Sequence, residues 1–357
     1  SVNLPAGTAG DVVAIKDYAN TFDSNAVTLV QNGSDKIGGS AVNAVLSTEG
    51  LAVTLVFVDS TQGWLVTDNG TQDTAPTTRF ITATGGTITC SGNFRIHTFT
   101  GPGALCVSCA GNPSGSTTVD YLVVASGGGG GSGLGGGGGA GGFRTNFPSS
   151  CSGIPVSVQP YPIAVGSGGA AGIPDGGSGT PGNNSTFSSI TSTAGGGAVA
   201  RSSPTPVGPG GSGGGGSGLA AYPGGTGNTP PTSPPQGNDG GDGSSGTKRS
   251  GGGGGGAAGD GGDALSATYA VGGVGSSNSI TGSAIFYAGG GGGNGDPGGP
   301  APSGLGGNGG GGNGGPSTNG TAGAANTGGG GGGGAGSCSN GAAGGSGIVI
   351  IRYKFQN

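Results

Sequence analysis

The sequence has few of the residues on which enzymes and nucleic-acid-binding proteins depend. Of 357 residues, ten are Lys or Arg and fifteen are Asp or Glu, with one histidine, one tryptophan and no methionine. The basic residues form no cluster that would neutralise phosphates, so we expect no nucleic-acid binding. With His97 as the one imidazole, no Ser/His/Asp constellation can be assembled, so we expect neither an enzyme nor a cofactor.

Long apolar runs are also missing. A membrane-spanning helix needs about 18 or more apolar residues in a row, and no run approaches that length. We therefore expect no insertion into a membrane. The missing methionine predicts that the chain is processed or is part of a longer one.

Glycine, in contrast, supplies 100 residues, and its distribution is uneven. Fifteen glycines lie in residues 1–125 and 85 in the 232 residues that follow. The change comes at Ala125. The composition therefore predicts folded β-structure up to residue 125 and a separate glycine-rich lobe over residues 126–346.

Residues 1–85 are expected to form an all-β module for attachment or trimerisation. Apolar and polar residues alternate over short runs separated by Gly and Asn turns. The clearest strands are 11–17, 26–31, 52–58 and 64–67. Trp64 is expected in a core or an interface. So small a module buries little on its own, which favours packing against copies of itself, most simply in a homotrimer.

Residues 86–125 predict a second β unit, which the C-terminal segment 347–357 completes. The expected strands are 87–90, 94–99, 105–109 and 121–125, together with 347–355. The last two are rich in β-branched residues and directly adjoin glycine. Because exposed edges of this kind aggregate, we expect these two strands to pair. The glycine-rich lobe is then an insertion whose entry and exit are neighbours.

The lobe contains runs of pure glycine without the strict Gly-X-Y period of collagen. The runs are 127–131, 135–139, 213–216, 251–256, 289–293, 309–312 and 328–334. A flexible linker would not need apolar pieces such as Tyr161–Val165 and Ala284–Tyr287. The pattern instead favours extended helices with three residues per turn, packed in rows and hydrogen-bonded to one another. The expected fold class is therefore all-β modules with a polyglycine-II sandwich lobe and almost no α-helix.

Glycine at the middle of each run is expected to be structural, because a Cβ there would force the rows apart. The clearest cases are Gly129, Gly137, Gly253, Gly291 and Gly331. A valine at Gly253 should misfold the lobe. An alanine at Gly320, in a connecting segment, should be tolerated.

The strands that flank the lobe and its internal segments resemble a known family. The order Val119–Ala125, Gly141–Thr145, Tyr161–Gly166 and then Gly345–Lys354 resembles a glycine-rich domain of virion and tail-fibre proteins of tailed phages, over residues 86–357. Asn228–Gly237 is also similar to that family. Packed polyglycine-II helices with variable end loops resemble the long-tail-fibre adhesins of T-even-like phages. The segments Asp17–Asn20, Asn32–Lys36 and Gln62–Trp64 are similar to short trimerising β-modules of phage fibres.

This resemblance implies a non-enzymatic virion fibre or adhesin, located on the particle surface. Its partners would be other virion proteins, copies of itself, and a host glycan or outer-membrane receptor. The receptor-binding residues would lie on the loops between runs: Phe143, Phe147, Tyr222, Tyr269, Phe286 and Tyr287. The same aromatic side chains are equally suited to cap the rods against water. The alternative function is a purely structural decoration protein or fibril subunit; an ice-binding protein would need a repetitive Thr or Ala face.

The remaining polar motifs are expected to be structural. Cys106 and Cys109 have no second C-x-x-C pair to complete a zinc site, and the family's strands do not usually carry them. Buried thiols are favoured, and a disulfide joining Cys90 with Cys106, or Cys151 with Cys338, stays open. The pairs Asp239/Asp242 and Asp260/Asp263 are interpreted as solvated turns, with weak Ca²⁺ binding as the alternative. His97 is expected at a solvated or interface position.

Overall fold

The computed structural model describes residues 1–71, 78–148, 153–174, 177–201, 208–219, 222–245, 249–264, 270–295, 303–336 and 338–357. These residues contain strands and extended segments and no helix, in agreement with the predicted all-β class. The chain divides into two compact units, Ser1–Thr78 and Arg79–Asn357. The boundary precedes the predicted residue 85, because residues 81–84 form a strand that pairs with 103–110 in the second unit.

The first unit contains two three-stranded sheets around a small core. Its strands are β1 (Val2–Asn3), β2 (Val12–Lys16), β3 (Val27–Val30), β4 (Ala44–Leu46), β5 (Leu51–Phe57) and β6 (Trp64–Thr71). The sheets have the orders β1-β3-β4 and β2-β5-β6. Trp64 is fully buried, with its ring edge-on to Phe57 at a centroid distance of 5.5 Å. The prediction of a core position for Trp64 is confirmed.

Asp17 organises the loop between β2 and β3. Its buried carboxylate accepts hydrogen bonds from the backbone N–H groups of Thr21, Phe22 and Gly50 at 3.0–3.1 Å. Burial raises the pKa of Asp17, but these hydrogen bonds stabilise the charged form, and the net effect is a lowered pKa. In the Asp17–Asn20 motif, the aspartate is therefore a structural residue of this loop, while Tyr18 beside it is exposed.

The second unit contains the remaining strands. They are β7 (Ile81–Thr84), β8 (Thr87–Ser91), β9 (Phe94–Phe99), β10 (Gly103–Ala110), β11 (Thr118–Val124), β12 (Phe143–Thr145), β13 (Ile154–Pro155), β14 (Pro160–Ala164), β15 (Ser185–Phe187), β16 (Ile190–Ser192), β17 (Ser276–Asn278), β18 (Ile285–Tyr287) and β19 (Ile348–Lys354). The central sheet has the order β12-β11-β19-β9-β8, and β13 also pairs with β11. The outer sheet has the order β16-β15-β14-β10-β7, and β17 and β18 form a separate hairpin.

The two faces of the central sheet are covered differently, and strand alternation decides which side chain meets which cover. One face packs against the outer sheet through residues such as Val123, Ile351 and Phe187. The opposite face, with Leu122 and Ile350, packs against side chains of the glycine-rich lobe. The central sheet is therefore buried on both sides.

The strands that flank the lobe pair as the sequence predicts. β11 and β19 are antiparallel neighbours, with Val124 opposite Ile348 at the end where the glycine begins. The chain thus leaves the central sheet after β11 and returns to it in β19. We refer to this end of the lobe as the sheet end and to the opposite end as the far end.

The glycine runs form extended rods that are hydrogen-bonded to one another. Successive N–H groups of 126–132 point to three different neighbours, and every third N–H returns to the same one. The bonds are Gly127 to Gly345 and Gly130 to Ala342, Gly128 to Gly139 and Gly131 to Gly136, and Gly129 to Thr180 and Ser132 to Gly177, at N···O distances of 2.8–3.3 Å. A turn of three residues whose donors all leave the segment is polyglycine II geometry.

One rod, 135–141, lies at the centre of a complete hexagon. Its hydrogen-bonded neighbours are 126–132, 194–201, 211–218, 250–256, 289–295 and 328–334. Each of these six is hydrogen-bonded to the next, so the ring closes. The predicted packing of rods is thus present, and five of these six neighbours contain a run of pure glycine. The glycine content of the sequence is therefore high at the rod that has neighbours on all sides and in most of those neighbours.

The five glycines predicted to be structural all face a neighbouring backbone. A Cβ built on Gly137 would lie within 3.0 Å of the carbonyl oxygen of Gly291, which is closer than real Cβ atoms come. A Cβ built on any of the other four glycines would likewise lie too close to a backbone carbonyl oxygen of a neighbouring segment. The pairs are Gly129 with Ala170, Gly253 with Val271, Gly291 with Gly331, and Gly331 with Ala342. These contacts support the structural role predicted for the five glycines.

The prediction for Gly320 is wrong. A Cβ at Gly320 would lie within 3.0 Å of the carbonyl oxygen of Gly332, and the N–H of Gly320 donates to Asn340. Gly320 therefore lies against the rod 328–334, although its own segment is mixed in sequence. A glycine outside the pure runs is also constrained when it faces such a rod.

We expect Gly137→Ala to destabilise the lobe by about 3 kcal/mol, because the added methyl forces the central rod away from a backbone that has no room to relax. The control is Gly259→Ala, whose Cβ would meet only the Val274 side chain at 3.2 Å and its backbone nitrogen at 3.8 Å. Urea denaturation and limited proteolysis measure both variants. Equal stability of the two variants would show that the rods are not close-packed.

Candidate functional site

Of the six aromatic residues predicted to bind a receptor, the five that the structure describes lie at opposite ends of the lobe. Phe143, Phe147, Phe286 and Tyr287 lie at the sheet end. Tyr222 lies at the far end, after the rod 211–218, and is half-buried. Tyr269 lies outside the described residues. The structure therefore does not bring the six into one surface.

At the sheet end, the aromatic side chains differ in how far they are exposed to solvent and hence to a receptor. Tyr287 is 4% exposed and packs with Leu122 and Ile350 on the central sheet. Burial raises its pKa, as expected for a phenol in an apolar environment. Phe143 and Phe147 are half-buried against the same cluster. Tyr287 is thus a core residue that joins the lobe to the sheet, and a receptor has no access to it.

Phe286 is the exposed aromatic of the hairpin β17–β18. Its side chain is 45% exposed, and the neighbouring Ile285 is also exposed. The hairpin is held in place because Tyr287 and Ile280 are anchored in the cluster on the central sheet, while Asn278 donates to Thr145. Phe286 is therefore presented on a fixed support.

A groove of about 290 Å³ lies beside this hairpin, and we refer to it as the sheet-end groove. Its lining comes from strands and connecting segments that are far apart in the sequence: Tyr121, Phe143, Arg144, Thr145, Ser233, Pro234, Pro235, Ala257 and Ser276. Aromatic and proline rings alternate here with hydroxyl and guanidinium donors. Such a lining suits the apolar face and the hydroxyl groups of a sugar.

The proline-rich wall of the groove is fixed by the side-chain amides of Asn228 and Gln236. The side-chain oxygen of Asn228 accepts from the backbone N–H groups of Thr232 and Gln236 at 3.0 and 3.2 Å. The fully buried Gln236 accepts in turn from the N–H of Thr193 at 2.9 Å. The sequence did not predict this groove, although the proline-rich segment Asn228–Gly237 that forms its wall was singled out. The prolines of that segment were the available signal.

The two aspartate pairs act on the backbone. Rods at the surface lack a neighbour on one side, so some of their N–H groups need another acceptor. Carboxylate oxygens supply it: Asp239 for Gly227, Asp242 for Gly224, Asp260 for Asp239 and Asp263 for Asp242, at 2.7–3.2 Å. The spacing of three residues matches the turn of the rod. The four carboxylates thus continue the lattice at its surface.

The cysteines are free where the structure describes them. Cys90, Cys106 and Cys338 are exposed and Cys109 is half-buried. The disulfide between Cys90 and Cys106, which the sequence left open, is therefore not formed. The favoured prediction of buried thiols is wrong for the three exposed cysteines. Cys151 lies outside the described residues. Within the described ranges, no three His, Cys, Asp or Glu side chains come together as metal ligands.

His97 is buried, which corrects the predicted solvated or interface position. It is 0% exposed and lies between the central and outer sheets, stacked on Tyr353 at a centroid distance of 5.5 Å. Its Nδ1 lies 2.7 Å from the carbonyl oxygen of Gly85, so Nδ1 carries the proton. The Tyr353 hydroxyl then donates to Nε2 at 3.0 Å and accepts from the N–H of Ala83. Every hydrogen-bonding atom of the neutral imidazole is satisfied.

In the described part of the chain, no helix is both long and apolar enough to span a membrane. A family model described as a glycine-rich domain matches residues 106–354, which is most of the chain. No curated protein matches the chain.

We expect the protein to lose stability as the pH falls below about 6.5, because His97 resists protonation. Burial lowers the pKa of His97 from 6.5, with a further lowering by the charge of Arg95 and an opposing effect of the hydrogen bond to Gly85. The unfolded chain therefore takes up a proton that the folded chain rejects, at a cost of up to about 1.4 kcal/mol per pH unit. Denaturation of the wild type and of His97→Gln between pH 8 and pH 5 measures the difference, and parallel profiles would contradict it.

Proposed function

The chain belongs to the glycine-rich domain family, and on this premise we propose that it is a non-enzymatic fibre or adhesin protein on the surface of a tailed-phage virion. Its connecting segments bind a receptor on the host cell, and this receptor is a glycan. The observation that carries this proposal is the sheet-end groove, in which aromatic, proline and hydrogen-bonding side chains from distant strands and connecting segments converge.

The rod lattice supports this proposal because the residues that hold the lobe together are different from the residues that could recognise a receptor. Inside the lattice, glycine is required and no side chain projects toward a ligand. Exposed large apolar side chains of the described lobe, such as Ile173, Leu305 and Phe286, lie at the rod ends or on the outermost rods. Binding residues on loops held by a rigid scaffold are a common arrangement in recognition proteins. The groove and the exposed Phe286 are such positions.

The chemistry of the groove favours a glycan. Phe143, Pro234 and Pro235 offer flat apolar surfaces for the C–H face of a sugar ring, while Arg144 and Ser276 offer donors to its hydroxyl groups. With one charged residue in the lining, we expect binding to depend little on salt.

For the partners of the chain, we propose a homotrimer assembled through the first unit and attachment to other virion proteins. The support is the exposed valines of that unit, including Val12, Val42, Val45 and Val66. A buried core of six side chains covers little of so apolar a surface.

The glycan proposal predicts that Arg144→Ala weakens binding about tenfold, as expected when a donor to a bound sugar is lost. Phe286→Ser is expected to weaken host-cell binding as well. The matched control is Tyr222→Ser at the far end, which should leave binding unchanged. Purified variants are compared on an array of bacterial surface glycans and in adsorption to host cells. Unchanged adsorption after replacement of both sheet-end residues and of segment 230–235 would favour a purely structural decoration protein.

The trimer proposal predicts three copies in solution. Native mass spectrometry of the full chain should give three times the monomer mass, and Val12→Lys with Val45→Lys should reduce it to the monomer. A wild-type chain that stays monomeric at micromolar concentration would refute this assembly.

A further inference from the structure

A second pocket, of about 370 Å³, lies at the end of the central sheet that is remote from the rods. Its wall includes Phe94, Thr117, Thr118, Asp120, Phe147 and Arg352. It shares no lining residue with the sheet-end groove. We refer to it as the arginine pocket.

The guanidinium of Arg352 is held between two aromatic rings. Its Cζ lies 3.7 Å from the centroid of the Phe94 ring and 4.6 Å from that of the Phe147 ring. Phe94 comes from β9 beside β19, and Phe147 follows β12. Such cation–π contacts stabilise the guanidinium and fix its plane without using its N–H groups.

The hydrogen-bond donors of Arg352 are left without acceptors in the described structure. Its nearest anion is the Oδ2 of Asp120, directly opposite on β11, at 4.0 Å from Nε, which is beyond hydrogen-bonding distance. Nε is buried and has no partner. The side chain is 16% exposed. The terminal nitrogens also have no acceptor in the described structure, and because unsatisfied charged donors at a partly buried site are costly, these nitrogens are the ones available to a ligand.

The pocket combines two positive groups, Arg352 and Lys354, with one negative group, Asp120, and the Lys354 ammonium donates to Asn357 at 2.8 Å. Burial raises the pKa of Asp120, and the charge of Arg352 opposes this. Burial also lowers the pKa of Arg352, although a guanidinium stays charged in proteins. A phosphate dianion would meet repulsion from Asp120. A ligand with one carboxylate and several hydroxyl groups satisfies both residues, since its hydroxyls donate to Asp120.

We propose that the arginine pocket binds an acidic sugar, whose carboxylate lies in the plane of the Arg352 guanidinium. Nε is buried, so the terminal nitrogens supply the two parallel hydrogen bonds that carboxylates accept. The ring hydroxyls bond to Asp120, Thr117 and Thr118. The volume suits one or two sugar rings. This site goes beyond the proposed function and does not depend on the sheet-end groove.

Calorimetry on the full chain tests this proposal with glucuronic acid and N-acetylneuraminic acid, and with glucose and inorganic phosphate as controls. We expect an acidic sugar to bind at least about tenfold more tightly than glucose or phosphate, since charge-assisted bidentate contacts are strong. No binding of either acidic sugar, or equal binding of a control, would overturn the proposal.

Two variants act in opposite directions. Arg352→Lys keeps the charge but loses the planar pair of donors, so affinity for the acidic sugar should fall about tenfold. Asp120→Asn keeps an acceptor and removes the repelling charge, so affinity should rise about threefold. If Arg352→Lys fails to fold, the proposal is still tested by Asp120→Asn and by the binding of acidic sugars, glucose and phosphate to the wild-type protein. Unchanged affinity in Asp120→Asn would overturn the assignment, whereas loss of glycan binding through Arg144→Ala would concern the groove alone.

Discussion

Close contact between backbones is the constraint on which the lobe depends. In an ordinary domain, the cost of ordering the chain is offset by the burial of apolar side chains. Here the central rod, 135–141, has no side chain beyond the methyl group of Ala140, and backbone N–H and C=O groups of neighbouring rods satisfy one another. This is possible only while each Cβ is absent, since at Gly137 or Gly291 the space belongs to the carbonyl oxygen of another rod. The glycine runs are therefore the core of the lobe.

The sequence predicted the parts of the fold that local patterns determine. The β-branched strands beside the glycine, β11 and β19, indicated their own pairing, and the pure runs indicated the rods. What it did not predict depends on contacts between distant segments. His97 was expected near solvent because its neighbours Arg95 and Phe99 alternate as on a half-exposed strand. It is buried because the β7 edge of the outer sheet lies over it: Gly85, directly after β7, accepts from its Nδ1, and Tyr353, 256 residues away, links its Nε2 to Ala83 of β7.

The candidate sites were harder to predict for the same reason. Aromatic residues outside the runs were the available signal, and it did not distinguish Tyr287, which joins the lobe to the sheet, from Phe286, which faces solvent. The sheet-end groove combines Arg144, Pro234 and Ser276, whose proximity follows from the order of the rods. No periodicity in the sequence encodes that order. In the same way, Asp120 and Arg352 become neighbours only because β11 and β19 pair in the register that places these two residues opposite each other.

The neighbouring positions of β11 and β19 limit how such a lobe can change in evolution. The chain enters the lattice at the sheet end and must come back to the same end to complete the central sheet. Each rod carries the chain from one end to the other, so a single added rod would leave β19 on the wrong side. Rods can therefore be gained or lost only in pairs. Homologous lobes should differ in length by whole out-and-back units, each of which adds one connecting segment at either end.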